Sequence, residues 1–113
     1  MNAEEIRAFA LSKPNVTEGF PFGEDTLVFK VNGKVFLLVN LTSESLQFNV
    51  KCDPERALAL REEYENILPG YHMNKQHWNT IITGHALSNQ LLQEMINHSY
   101  ELVSIKKKIK ATK

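Results

Sequence analysis

Residues 70–80 read GYHMNKQHWNT and gather the side chains best suited to chemistry in this chain. His72 and His77 stand at H-x4-H spacing, which supplies half of some zinc sites. A complete site needs four ligands, or three and a water. No Asp or Glu occurs between Glu65 and Glu94, and the single cysteine, Cys52, is remote; His85 would serve as a third ligand only if the fold brought it back. No metal is therefore expected. Catalysis is not expected either. The chain has no P-loop, no G-x-S-x-G and no H-E-x-x-H. Cys52 adjoins Asp53, whose charge raises a thiol pKa and so dulls the nucleophile. A histidine doing acid–base work needs an orienting partner and a reacting group, and the sequence offers no recognisable set. The expectation is a protein that is not an enzyme and uses no cofactor.

Binding is the chemistry these residues support better. Residues 66–93 contain no acid, and they carry Lys75, three histidines and many Asn, Gln and Thr side chains. Such a surface approaches phosphates without repulsion and donates hydrogen bonds to them. Tyr71 and His77 can stack on an exposed base, and His72 and Asn74 can position a backbone. Lys30, Lys34 and Lys51 extend the same character to a neighbouring hairpin. DNA is accordingly the expected partner, with little base specificity, because Arg7, Arg56 and Arg61 are the only arginines and no Arg-rich recognition helix appears. The plainer reading of the segment is structural: Trp78 belongs to the core through its large apolar area, and the His and Asn side chains satisfy backbone groups in an irregular turn. The rival function is a protein-interaction or small-ligand module with no nucleic-acid role.

The elements that must position these groups are legible from local chemistry. Asn2 caps a first helix, with Glu5 completing a capping box; Ile6, Phe9 and Ala10 share a face, and KPN ends the helix near residue 12. TEGFPFGEDT is a loop, pinned to the core by Phe20 and Phe22. TLVFKV and KVFLLV are two strands joined by Asn32-Gly33, both able to take the positive φ of a type I′ turn. In LQFNVK, Leu46, Phe48 and Val50 point inward and Gln47, Asn49 and Lys51 outward, giving a three-stranded meander with one wet face. The middle strand is apolar on both sides, as partial cover on each face requires. Asp53-Pro54 opens a helix with Ala57, Leu60, Tyr64 and Ile67 as its stripe, stopped by Pro69-Gly70. HWNTIIT is a fourth strand. Ser88 caps a last helix bearing Leu92, Met95, Ile96, Ser99 and Val103. The order α-β-β-β-α-β-α predicts an α+β fold, an antiparallel sheet packed against helices.

The 113 residues suit one domain, 1–105, followed by a basic tail at 106–113 with Lys106, Lys107, Lys108, Lys110 and Lys113. The tail lysines are a secondary candidate for phosphate contact. Net charge is zero, yet residues 1–105 hold eight basic and thirteen acidic groups, so any attraction to a polyanion must be local. No run approaches the ~20 apolar residues that span a bilayer. The opening MNAEEIRAFA is not a secretory leader, and one cysteine excludes an internal disulfide framework. A cytoplasmic monomer is expected.

FPFGEDTLVFKVNGKVF, VKCDPERALALREEY, PGYHMNKQHWNTI and the late SYELV together resemble the MmcQ/YjbR-like family of small bacterial proteins. The four stretches span nearly the whole chain in the family's order and spacing. The Pro-Phe-Gly turn with its hairpin and the Pro-Gly-Tyr-His…His-Trp segment are the most specific. The resemblance implies a CyaY-like α+β fold and DNA binding through a "double wing" of hairpin-like projections.

Overall fold

The computed structural model describes residues 1–70, 73–84 and 87–104. Along the chain run α1 (Ala3–Leu11), β1 (Val16–Gly19), β2 (Thr26–Val31), β3 (Lys34–Asn40), β4 (Gln47–Lys51), α2 (Pro54–Glu63), β5 (Ile67–Pro69), β6 (Trp78–Ile82) and α3 (Asn89–Ser104). The strands form one antiparallel sheet in the order β1-β2-β3-β4-β6-β5. The α+β architecture is the expected one, with a short strand added at each edge.

Local signals explain most of the boundaries. In α1 the Glu5 N–H donates to Asn2 Oδ1 at 2.8 Å, and the Asn2 N–H donates to Glu5 Oε1 at 2.9 Å, the two halves of a capping box. At the hairpin, Asn32 and Gly33 have φ of 53° and 84°, the left-handed pair a type I′ turn requires. Ser88 Oγ accepts from the Leu91 N–H at 3.1 Å at the start of α3.

The helices gather on one face. Ile6 and Ala10 of α1, Ala57 and Leu60 of α2, and Leu92, Met95 and Ile96 of α3 share a buried cluster with Leu27, Phe29, Leu37, Val39, Phe48, Val50 and Ile81 from the strands. A bulge between Phe29 and Lys30 shifts the β2–β3 register, which lets both Phe36 and Leu37 enter this core. The β3–β4 ladder ends at Leu37 and Val50. Just beyond it the hydroxyl of fully buried Ser99 accepts from the Lys51 N–H at 2.9 Å and donates to the Phe36 carbonyl at 2.6 Å. A helix side chain thus completes the strand pairing and fixes α3 against the sheet.

Several expectations are corrected. Helix α2 ends at Glu63, with Tyr64 extended at φ −125° and ψ 118°, so Tyr64 and Ile67 do not continue its stripe. Asn66 draws the chain away: its carbonyl accepts from the Ile82 N–H, and its Nδ2 donates to the Ile82 carbonyl, both at 2.9 Å. Ile67 is buried as a strand residue opposite Ile81. Phe20 and Phe22 do not anchor their loop in the core, being 51% and 69% exposed. Trp78 is half-buried and outside the core cluster. Alternation along β6 sends Asn79 and Ile81 toward the helices, opposite Val50 and Phe48, and leaves Trp78 on the other face with Thr80 and Ile82. There its Cβ lies against the backbone of Gly70, where any added Cβ would stand 2.7 Å away.

Candidate functional site

The face of the sheet turned away from the helices is built from three rows of side chains, read off the strand register. The first row is Thr26, Asn40, Gln47 and Ile82; the second is Val28, Leu38, Asn49, Thr80 and Leu68. The third holds Lys30 opposite Val35, and Lys51 opposite Trp78. Successive rows are about 7 Å apart, two residues along a strand. Val28 is 1% exposed although it faces away from the helices, because the Phe20–Pro21 segment and Lys30 border the depression above it.

The first two rows floor an open groove of about 690 Å³. Its apolar lining is Phe22, Leu38, Leu68, Pro69, Met73 and Ile82; its polar lining is Thr26, Asn40, Gln47, Asn49 and Thr80. Among the described residues no charged side chain lines it. Asn40 Oδ1 accepts from the Thr42 N–H at 2.9 Å and from Thr42 Oγ1 at 3.1 Å. Asn49 Oδ1 accepts from Thr80 Oγ1. Both oxygens being engaged, the two amide nitrogens are left as donors without a protein partner among the described residues, and the Gln47 amide is likewise uncommitted.

Charge is distributed by face and by end. Among the described residues, Glu18 is the only acid in a strand. It shares a register position with core residue Phe29 and turns to the helix side, where Arg7 of α1 grips it through two bonds of 2.7 and 2.6 Å. Hydrogen bonding to that guanidinium holds the Glu18 carboxyl below its ordinary range. Nearby loop acids, Glu24, Asp25 and Glu44, lie at the end where β2 begins and β3 ends, opposite the lysine row.

The residues singled out in the sequence are only partly brought together. Lys30 and Lys51 share the open face, both half-buried. Lys34 is exposed at the hairpin tip but pairs with core residue Val31, which places it on the helix side of the register. Asn74 is a turn builder: its Oδ1 accepts from the N–H groups of Gln76 and His77 at 2.9 and 3.3 Å. Lys75 is exposed, and its carbonyl accepts from Arg61 Nη2. His77 is half-buried, and its carbonyl accepts from the Cys52 N–H at 2.7 Å. Arg61 also bonds Asn79 Oδ1 at 2.7 Å and so pins the whole turn to α2. Tyr71, His72, Lys106, Lys107 and Lys108 lie outside the described residues. Sequence reasoning missed Phe22, Asn40 and Met73 as groove residues. It placed Gln47 and Asn49 on the wet face without assigning them a task. The available signal was the choice of carboxamides, rather than charged residues, at solvent-facing strand positions.

Two titratable groups behave as structural ones. Burial pushes the Cys52 thiol up, which disarms it as a nucleophile. Burial, and next to it the Arg56 charge, lowers the His98 pKa, and its Nε2 accepts from the Asp53 N–H at 3.2 Å. Among the described residues no cluster of His, Cys, Asp and Glu is arranged to hold a metal ion. No helix among them is long and apolar enough to cross a membrane.

A family model for YjbR matches residues 11–102. The chain belongs to the YjbR family. An uncharacterised Escherichia coli O157:H7 protein, YbdF, is 40% identical over 100 residues, covering 88% of this chain and 82% of that one. The YjbR protein of Escherichia coli K12, also uncharacterised, is 24% identical over 101 residues, covering 89% and 86%. Among solved structures, the Deinococcus radiodurans protein DR2400, with a domain named DUF419, superposes with a TM-score of 0.89 at 34% identity over 98% of this chain and 86% of that one. A Pseudomonas syringae protein superposes at 0.78 with 26% identity, covering 91% and 99%. The YjbR fold is thus shared along nearly the full length, including the strands that make the open face.

Proposed function

We propose that this YjbR-family protein is a binding module, not an enzyme, which holds DNA weakly and with little base specificity on the open face of its sheet. One observation carries the reading: among the described residues the strands present no carboxylate on that face, while Lys30 and Lys51 stand in one row along it. An otherwise acidic domain thereby offers a polyanion one approach without repulsion, and the acidic loops at the far end limit it to that row. Two lysines neutralise few phosphates, so the affinity is low and dominated by the electrostatic term. Lys75 contributes from the turn beside His77, whereas Lys34, on the helix side of the register, is not part of this face.

The test is a titration of fluorescent single-stranded and duplex DNA at several salt concentrations. On a single strand each neutralised phosphate contributes about −0.7 to the slope of log K against log salt. The double variant Lys30→Gln/Lys51→Gln is expected to flatten that slope by about 1.4. An unchanged slope assigns the binding elsewhere, and affinity indifferent to salt removes the reading altogether. A second reading, a small-ligand module with no nucleic-acid role, is favoured by the groove of about 690 Å³ with its uncharged lining, a volume within the range of small-molecule sites.

A further inference from the structure

The groove and the lysine row are adjacent, and their chemistries differ in a way that specifies a ligand. Donors fixed in a half-buried floor lose their water when a ligand enters, and they demand acceptors in return. Asn40 Nδ2 and Asn49 Nδ2 are such donors, because their own oxygens are held by Thr42 and Thr80. The Gln47 amide, facing Asn40 across the strand pair, can rotate to donate or accept. Among the described residues the lining offers no cation to neutralise a phosphate or carboxylate, so the groove suits a neutral group. Phe22, 69% exposed at the rim, provides a largely open aromatic surface. Lys51 follows Asn49 by two residues on the same strand face, about 7 Å farther on.

We infer that the groove takes one unstacked nucleobase: its face against Phe22 and the aliphatic wall, its carbonyl or ring-nitrogen edge on the carboxamides of Asn40, Gln47 and Asn49, and its phosphate toward Lys51. This rests on the nucleic-acid reading and sharpens it, since a base paired within a duplex has no free edge or face to offer. The adaptable Gln47 explains why the site accepts more than one base while still requiring a base. The source of the base is either a single strand or a free nucleoside, and the experiment separates them.

The full chain is titrated at low salt with three labelled probes of about twelve nucleotides: a single-stranded oligothymidylate, a strand of equal length and charge that is abasic throughout, and a duplex. Stacking and edge contacts are expected to make the base-bearing single strand bind about tenfold tighter than the abasic one or the duplex. Phe22→Ala, at a largely exposed position outside the core cluster, is expected to erase most of that preference and leave abasic binding unchanged. Asn49→Ala reduces it in the same direction, whereas Lys51→Gln weakens all three probes alike. Equal affinity for the base-bearing and abasic strands overturns the inference while leaving phosphate-driven binding intact. If no strand binds but thymidine changes the fluorescence of Trp78, the base site stands and its source is the free nucleoside. If neither strand nor thymidine binds, the inference falls together with the nucleic-acid reading.

Discussion

Asn49 and Lys51 leave the same strand on the same face, and they divide the work of the site: one is a committed amide whose free end donates, the other a cation on a long stem. Asn74 shows the opposite outcome. Its type suits a ligand contact, yet its oxygen is consumed by the turn it builds. Residue type alone does not separate these fates; the partner of each polar atom does. His98 is a case with a measurable consequence. Its Nε2 accepts from the Asp53 N–H at the start of α2, a bond that protonation at that nitrogen destroys. The folded pKa lies below the ordinary 6.5, so in that window the folded state binds fewer protons than the unfolded one. The stability His98 contributes is present above pH 6.5 and is lost as pH falls through the folded value. Urea unfolding at about pH 7.5 and about pH 5 is expected to show a larger loss for the native protein than for His98→Gln. Equal losses contradict the assignment.

At the scale of elements, what the sequence made legible were the features with local causes. The capping box at Asn2, the Asn32-Gly33 hairpin, the alternation in β4 and the Pro54 start of α2 each rest on residues within a few positions of one another. The edge strands were not legible. β1 is four residues, VTEG, and becomes a strand by pairing with β2 rather than by composition. β5 is three residues ending in Pro69, and Ile67 also falls at a spacing that a continuing helix would use; the Asn66–Ile82 bonds decide between them. Ser99 read as one small residue on a helical stripe, but its hydroxyl joins two strands where their ladder stops. Ser99→Ala strands the Lys51 N–H and the Phe36 carbonyl without a partner and is expected to cost about 1–3 kcal/mol. Chemical denaturation measures that loss. A variant as stable as the native protein means the bridging hydroxyl is dispensable.

For the whole molecule, the zero net charge conceals a body with eight basic and thirteen acidic groups over residues 1–105, and its strands keep those acids off one sheet face. Acids concentrate on the helices and their flanks, and Glu18, the only strand acid among the described residues, is held by Arg7 on that side. The open face keeps amides, apolar side chains and two lysines. The sequence showed an acid-free window at 66–93, but the face it serves is assembled largely from residues 20–51, which lie outside the window and approach it through the β4–β6 pairing. That is why the candidate site was only half legible. Lys30 and Lys51 were named for their charge, whereas Phe22 read as core and Asn40 drew no assignment, because nothing local indicates which side of the sheet the helices leave bare.

The most direct test of the open face as the binding surface is nuclear magnetic resonance mapping with a single-stranded oligonucleotide at low salt. The side-chain amide signals of Asn40, Gln47 and Asn49 are expected to shift most, together with backbone signals around Phe22, Lys30 and Lys51. Shifts confined to the C-terminal lysines or to the helix surfaces, with those three carboxamides unmoved, contradict the account.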